Sequence, residues 1–170
     1  MKPQDVVIIV FLYSKQVGAG SDSPDWTFES LAGDLKLSKS AIHRSIENLK
    51  SGELMLNRRI NGRRLIEFLI SGVPVLFPGQ IGRETYGVET TVASPIFGKK
   101  IVSNKPIIWP SDKGSVKGDA LEPLHVIAVN VALLSDLSYK ILAAIDSLRV
   151  GKPRERKIAR SYLDALAGGQ

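Results

Sequence analysis

The sequence predicts an α+β fold: a helix-turn-helix module first, a small irregular β region behind it, and helices that close the chain. Three observations carry this. The stretch WTFESLAGDLKLSKSAIHRSIENL sets apolar residues at three-and-four spacing in two short runs separated by Lys36-Leu37. The middle of the chain is rich in Gly, Pro, Thr and Val and has no helical period. The last third returns to helical spacing, with Leu137, Ile141, Leu142, Ile145 and Leu148, and then Ile158, Ala159, Tyr162, Leu163 and Leu166.

The N-terminal run from Val6 to Leu12 is apolar throughout and mostly β-branched, which suits a buried strand. Pro3 and Asp5 suit a helix start instead. A helix pair needs a third element against its apolar side, so residues 4–15 are expected to be a core helix. GAGSDSPD over residues 18–25 is a turn-rich linker and lacks the Gly-Lys-Ser/Thr of a phosphate loop.

In the helix pair, Thr27 caps the first helix, and Phe28, Leu31, Ala32 and Leu35 form its buried face. Leu37 plugs the angle between the helices. Ser38 caps the second helix, which buries Ile42, Ile46 and Leu49, and Gly52 ends it. The outer face of the second helix then shows Lys39, Ser40, His43, Arg44 and Glu47. Such a pair is a helix-turn-helix.

Leu54 to Asn57 is a short strand candidate. Two readings compete for the stretch between it and Gly72: a hairpin turning at Asn61-Gly62, or a helix from about Gly62 to Ser71. The helix is favoured because RRLIEFLIS contains no turn, and it leaves any wing short or atypical. VPVLFP over residues 73–78 reads as extended, and Pro74 restricts it to an edge strand. Residues 79–100 read as loop with a strand around Val88 to Ala93. Trp109-Pro110 closes a short apolar run, Ser111 to Gly114 is a turn, and Val116 begins a further strand or anchors the loop. Asn130 to Leu134 is a turn or two of helix, Ser135 or Asp136 caps the next helix, Gly151 ends it, and Pro153 opens the last. This divides the chain into a helix-turn-helix module over residues 1–72 and a distal region over residues 73–170.

The chain of 170 residues carries a net charge of +6, which favours an acidic partner such as DNA. It has no cysteine, which excludes disulfides and thiolate sites and fits a cytoplasmic protein. Its longest apolar run is far short of a membrane span, and no cleavage site comes after it.

The charge is concentrated. Between Lys36 and Arg64 stand eight basic residues, Lys36, Lys39, Arg44, Lys50, Arg58, Arg59, Arg63 and Arg64, opposed by Glu47 and Glu53 alone. Dense positive charge suits phosphates, because neutralising them releases condensed counterions. Lys39, Ser40, His43 and Arg44 are candidates for the major groove, with Arg44 facing either guanine or a phosphate. Arg58, Arg59, Arg63 and Arg64 suit phosphate or minor-groove contacts. The alternative for each is an ordinary solvated surface. A second basic run, from Arg149 to Arg160, reads as the solvated face of a terminal helix or as an extension of the footprint. A dimer would double what one short recognition helix reads.

Catalytic readings are thin. His43 and His125 are far apart, and no acids stand at metal-ligand spacing. Asp119, Glu122 and His125 sit three apart and would cluster on one helical turn, though surface groups are the simpler reading. No hydrolase, zinc-protease or kinase signature is present. No enzyme activity, cofactor or metal is therefore expected. Trp26 and Trp109 are expected in the core.

The segment WTFESLAGDLKLSKSAIHRSIENLKSGELM resembles the helix-turn-helix of bacterial winged-helix transcriptional regulators, the MarR-like class in particular, over roughly residues 4–60. The resemblance implies that Ser38 to Leu49 lies in the major groove of double-stranded DNA, with Lys39, Ser40, His43 and Arg44 as the matching positions. The rest is similar to a group of small bacterial proteins in which a segment like EFLISGVPVLFP precedes elements like IIWP and ALEPL and two closing helices. It implies a regulator, or a protein acting beside one. The sequence departs from the class in lacking a clear basic-tipped wing between Leu54 and Leu65 and a clear long dimer helix. The rival reading is a non-catalytic interaction component, such as an antitoxin, that covers a partner through residues 73–124.

Overall fold

The computed structural model describes residues 1–20, 26–94, 97–98 and 105–168. The α+β class holds. The described elements are α1 (Pro3–Ala19), α2 (Phe28–Leu35), α3 (Lys39–Ser51), β1 (Met55–Leu56), β2 (Arg59–Ile60), α4 (Gly62–Ser71), α5 (Val73–Leu76), β3 (Ile81–Glu89), β4 (Ile107–Pro110), β5 (Val116–Leu121), α6 (Ala128–Leu134), α7 (Asp136–Val150) and α8 (Pro153–Gly168).

The β-branched run is helical, as expected from the need to cover the helix pair, and every residue from Val6 to Tyr13 is buried. A helix apolar on all sides belongs at the centre of a fold. α1 packs against α3 on one side and α7 on the other. It runs through Ala19, so Gly18 and Ala19 belong to it rather than to a linker, while residues 21–25 lie outside the described residues. One apolar cluster extends from Val6 through Ile46 and Leu69 to Leu163, and α8 lies along α4.

Asn61-Gly62 is not a hairpin turn. The Asn61 side chain accepts the Arg64 backbone N–H at 3.1 Å and caps α4, so the pair opens a helix. The hairpin lies just before it: Met55 pairs with Ile60 and Leu56 with Arg59, with Asn57 and Arg58 in the two-residue turn. Both turn residues have positive φ, 47° and 65°. That is the backbone a tight hairpin demands, at a cost for an arginine.

Residues 73–78 are not extended. Val73–Leu76 makes one helical turn, with Pro74 in the first-turn position where its missing N–H is harmless. The strand expected at Val88 to Ala93 instead occupies Ile81–Glu89. β3 pairs antiparallel with both β4 and β5, which pair parallel with each other at Ile107–Asp119 and Ile108–Ala120, so the three strands close. Closure this tight leaves no room for a side chain at Gly87, Gly114 or Gly118. A β-carbon at Gly87 would overlap the Trp109 carbonyl, and one at Gly118 would overlap that of Pro106. Gly87→Ala is accordingly expected to cost about 1–3 kcal/mol, as overpacking does, read as a lowered urea midpoint.

Candidate nucleic-acid interface

The local sequence fixes the helix pair. Thr27 accepts the Ser30 N–H at 3.0 Å, and the Ser30 hydroxyl accepts the Thr27 N–H at 2.9 Å, closing the start of α2. Lys36 ends it in the left-handed conformation, φ 54° and ψ 42°, and Ser38 accepts the Ala41 N–H at 3.2 Å to begin α3. Ile42, Ile46 and Leu49 are buried as expected. Phe28 is not; 37% of it is exposed.

Three polar side chains outside the predicted site hold the module together. Gln4 donates to Ser45 at 3.1 Å, and Asn48 donates to the buried Asp5 carboxylate at 3.0 Å. These bonds fix the inner face of α3 on the first turn of α1. At the other end of α1, the Gln16 amide donates to the Ile60 carbonyl at 3.1 Å and accepts the Ile60 N–H at 2.7 Å. It thereby anchors the hairpin. A lone Gln or Asn in an amphipathic run gives no sequence signal for such a role, because partners this distant along the chain are set by packing.

Lys39, Ser40, His43 and Arg44 all face solvent on one side of α3. Lys39 pairs with Glu29 of α2 at 2.8 Å; both are exposed, so the pair is weak and exchangeable for a phosphate. The Ser40 and Ser38 hydroxyls lie 3.1 Å apart. The His43 ring lies 5.5 Å from that of Phe28. Lys36 is exposed at the turn.

The second arginine group divides. Arg58 is exposed but engaged: its guanidinium donates to the Trp26 carbonyl and stands over the indole, 4.3 Å from the ring centre. The hairpin tip is thereby latched to the start of α2, and the contact offsets the strained turn. Arg64 pairs with Glu53 at 2.6 Å on the surface. Arg59 and Arg63 are exposed. Lys39, Ser40, His43 and Arg44 therefore share the outer face of α3, Lys36 is exposed at the turn before it, and Arg58, though exposed, is engaged on Trp26.

The distal half offers little chemistry. Asp119 lies on β5, paired with Lys105 at 2.6 Å, and does not share a helical turn with Glu122 and His125. The His125 Nδ1 accepts the Ile127 N–H at 3.4 Å, and burial lowers its pKa, favouring the neutral ring. Among the described residues, no group of three or more His, Asp or Glu could hold a metal ion. No described helix is long and apolar enough to cross a membrane. Trp26 and Trp109 are both buried. No protein-family model, no curated protein and no solved structure matches this chain.

Proposed function

We propose that the chain binds double-stranded DNA sequence-specifically through α3 and acts as a transcriptional regulator. Its N-terminal module is read as winged-helix-like, of the MarR-like kind, with β1 and β2 as an abbreviated wing. The observation that carries this is the outer face of α3. Lys39, Ser40, His43 and Arg44 are solvent-exposed on a helix whose opposite face is fully buried. Its inner polar groups are already spent on α1, and a left-handed turn at Lys36 sets it off from α2. Arg44 has the reach for guanine O6 and N7 or for a phosphate. With Arg58 engaged on Trp26, specificity is assigned chiefly to α3 and, in a homodimer, to its symmetry mate. The mechanism is occlusion or recruitment at an operator.

The test is a salt titration of binding to duplexes selected from a random pool. Affinity falls steeply with salt, with a slope proportional to the phosphates neutralised. Arg44→Ala is expected to lose about 1–3 kcal/mol of binding with an unchanged circular dichroism spectrum. Equal affinity of variant and parent would remove α3 from the interface.

A second reading is favoured by the exposed apolar side chains Val75, Leu76, Ile81 and Tyr86 in the distal half. They suit a protein partner, as in an antitoxin that uses the helix-turn-helix only as scaffold. This reading gains if no duplex is retained even at low salt.

A further inference from the structure

Phe28 has the spacing of a core residue and the exposure of a surface one, with 37% accessible. It is the first residue of α2. Trp26 supports it edge-on, with ring centres 5.9 Å apart, and is itself buried and covered by Arg58. The His43 ring lies 5.5 Å from it, inclined at 34°. The next residue, Glu29, holds Lys39. The first turn of α2 and the outer face of α3 thus form one surface: basic and polar, with a single supported aromatic ring in it.

The third or so of Phe28 that stays accessible forgoes its burial energy unless something covers it. The major groove of unmodified DNA offers one apolar group on its base edges, the C5-methyl of thymine. Resting on the DNA-binding reading above, we infer that Phe28 is a specificity-determining residue that packs on a thymine methyl beside the bases read by His43 and Arg44. Its rigid support by Trp26 means that the contact is made without ordering a loose side chain, which keeps its entropic cost small.

The experiment replaces thymidine by deoxyuridine, one position at a time, in duplexes selected by the wild-type protein from a random pool. Uracil lacks only the methyl and keeps the O4 acceptor. The wild type is expected to lose about four-fold in affinity at one position per half-site, the effect of burying one methyl group. Phe28→Ala should bind the thymine and uracil duplexes alike, with an unchanged salt slope, and Phe28→Leu should retain part of the preference. The comparison on the wild type needs no variant, so it can overturn the inference even if Phe28→Ala misfolds, and Phe28→Leu then tests whether the methyl contact belongs to Phe28. Indifference of the wild type to every uracil overturns the inference, as does a selected sequence without thymine or a Phe28→Ala protein that still discriminates. Those results leave DNA binding standing. Failure to select any duplex overturns DNA binding and this inference with it.

Discussion

Asp146→Ala is expected to destabilise the chain by about 3–5 kcal/mol, the cost of breaking a buried ion pair from one side. Asp146 is 2% exposed, and three donors converge on its carboxylate. The Trp109 indole N–H and the Thr90 hydroxyl reach Oδ2 at 2.6 and 2.9 Å, and the Arg149 Nη1 reaches Oδ1 at 2.6 Å. Arg149 in turn donates to the Phe77 carbonyl at 2.8 Å. One carboxylate therefore ties α7 to β4 and to the residue following β3, and its arginine ties in the chain after α5. Removing it strands a buried cation and two buried donors at once. Urea unfolding should show the loss as a lowered midpoint. In a cycle with Arg149→Met, the double variant should recover part of it, because the arginine is then no longer left unpaired. Burial raises the Asp146 carboxyl above its ordinary value of 3.8, opposed by the charge of Arg149 and by the hydrogen bonds. Between 3.8 and the raised value, the folded chain holds a proton that the unfolded chain has released. The group therefore adds stability as pH falls through that window and withdraws it as pH rises. Asp146→Asn should lack this component of the pH dependence.

None of this network was legible in the sequence. Asp146 sits in a helix beside Ser147 and Arg149 and looks like one more solvated acid, since its partners Thr90 and Trp109 are brought to it only by the fold. β3 was hidden for a different reason. Its residues from Ile81 to Glu84 are all exposed, so the alternation that betrays a half-buried strand is missing, and only the backbone ladders with β4 and β5 define it. Four helices are legible because each carries both its apolar period and its cap: Thr27, Ser38, Asn61 and Ser135 accept the backbone bonds that begin α2, α3, α4 and α7, whereas the single turn of α5 has neither. The α3 face was readable as well, since a period that names the buried positions names the exposed ones by subtraction. The contact of Arg58 with Trp26 is not legible, because charge alone does not say where a guanidinium points. Asn57-Arg58 is a tight turn without glycine, and the Trp26 ring that receives Arg58 is 32 residues away. Phe28 was misplaced because it stands at the first residue of α2, where the helical period continues past the edge of the core.

Ile46→Asp is expected to abolish most of the folded population at neutral pH. Ile46 is 1% exposed on the face of α3 that joins the apolar cluster of α1, α2 and α7. The substitution removes the transfer energy of an isoleucine side chain, about 1.5–3 kcal/mol. It also puts an ionisable group among aliphatic neighbours, where an unpaired charge costs more than a domain with a stability of ~5–15 kcal/mol can spare. An aspartate buried this way has its pKa raised, so the neutral acid is the form the fold tolerates. The loss should therefore ease as pH is lowered toward that raised value, the reverse of ordinary acid denaturation. Ile46→Val, which removes one methylene and adds no polar atom, should cost only about 0.5–1.5 kcal/mol and keep the native spectrum. The pair of variants matters for function because both lie under the same helix as Arg44. If Ile46→Val binds duplex DNA as the parent does while Arg44→Ala does not, affinity follows the outer face of α3 rather than the stability of the helix that carries it. If Ile46→Val weakens binding as much as Arg44→Ala, the outer face has lost its claim, and loss of affinity reports nothing more than a loosened module.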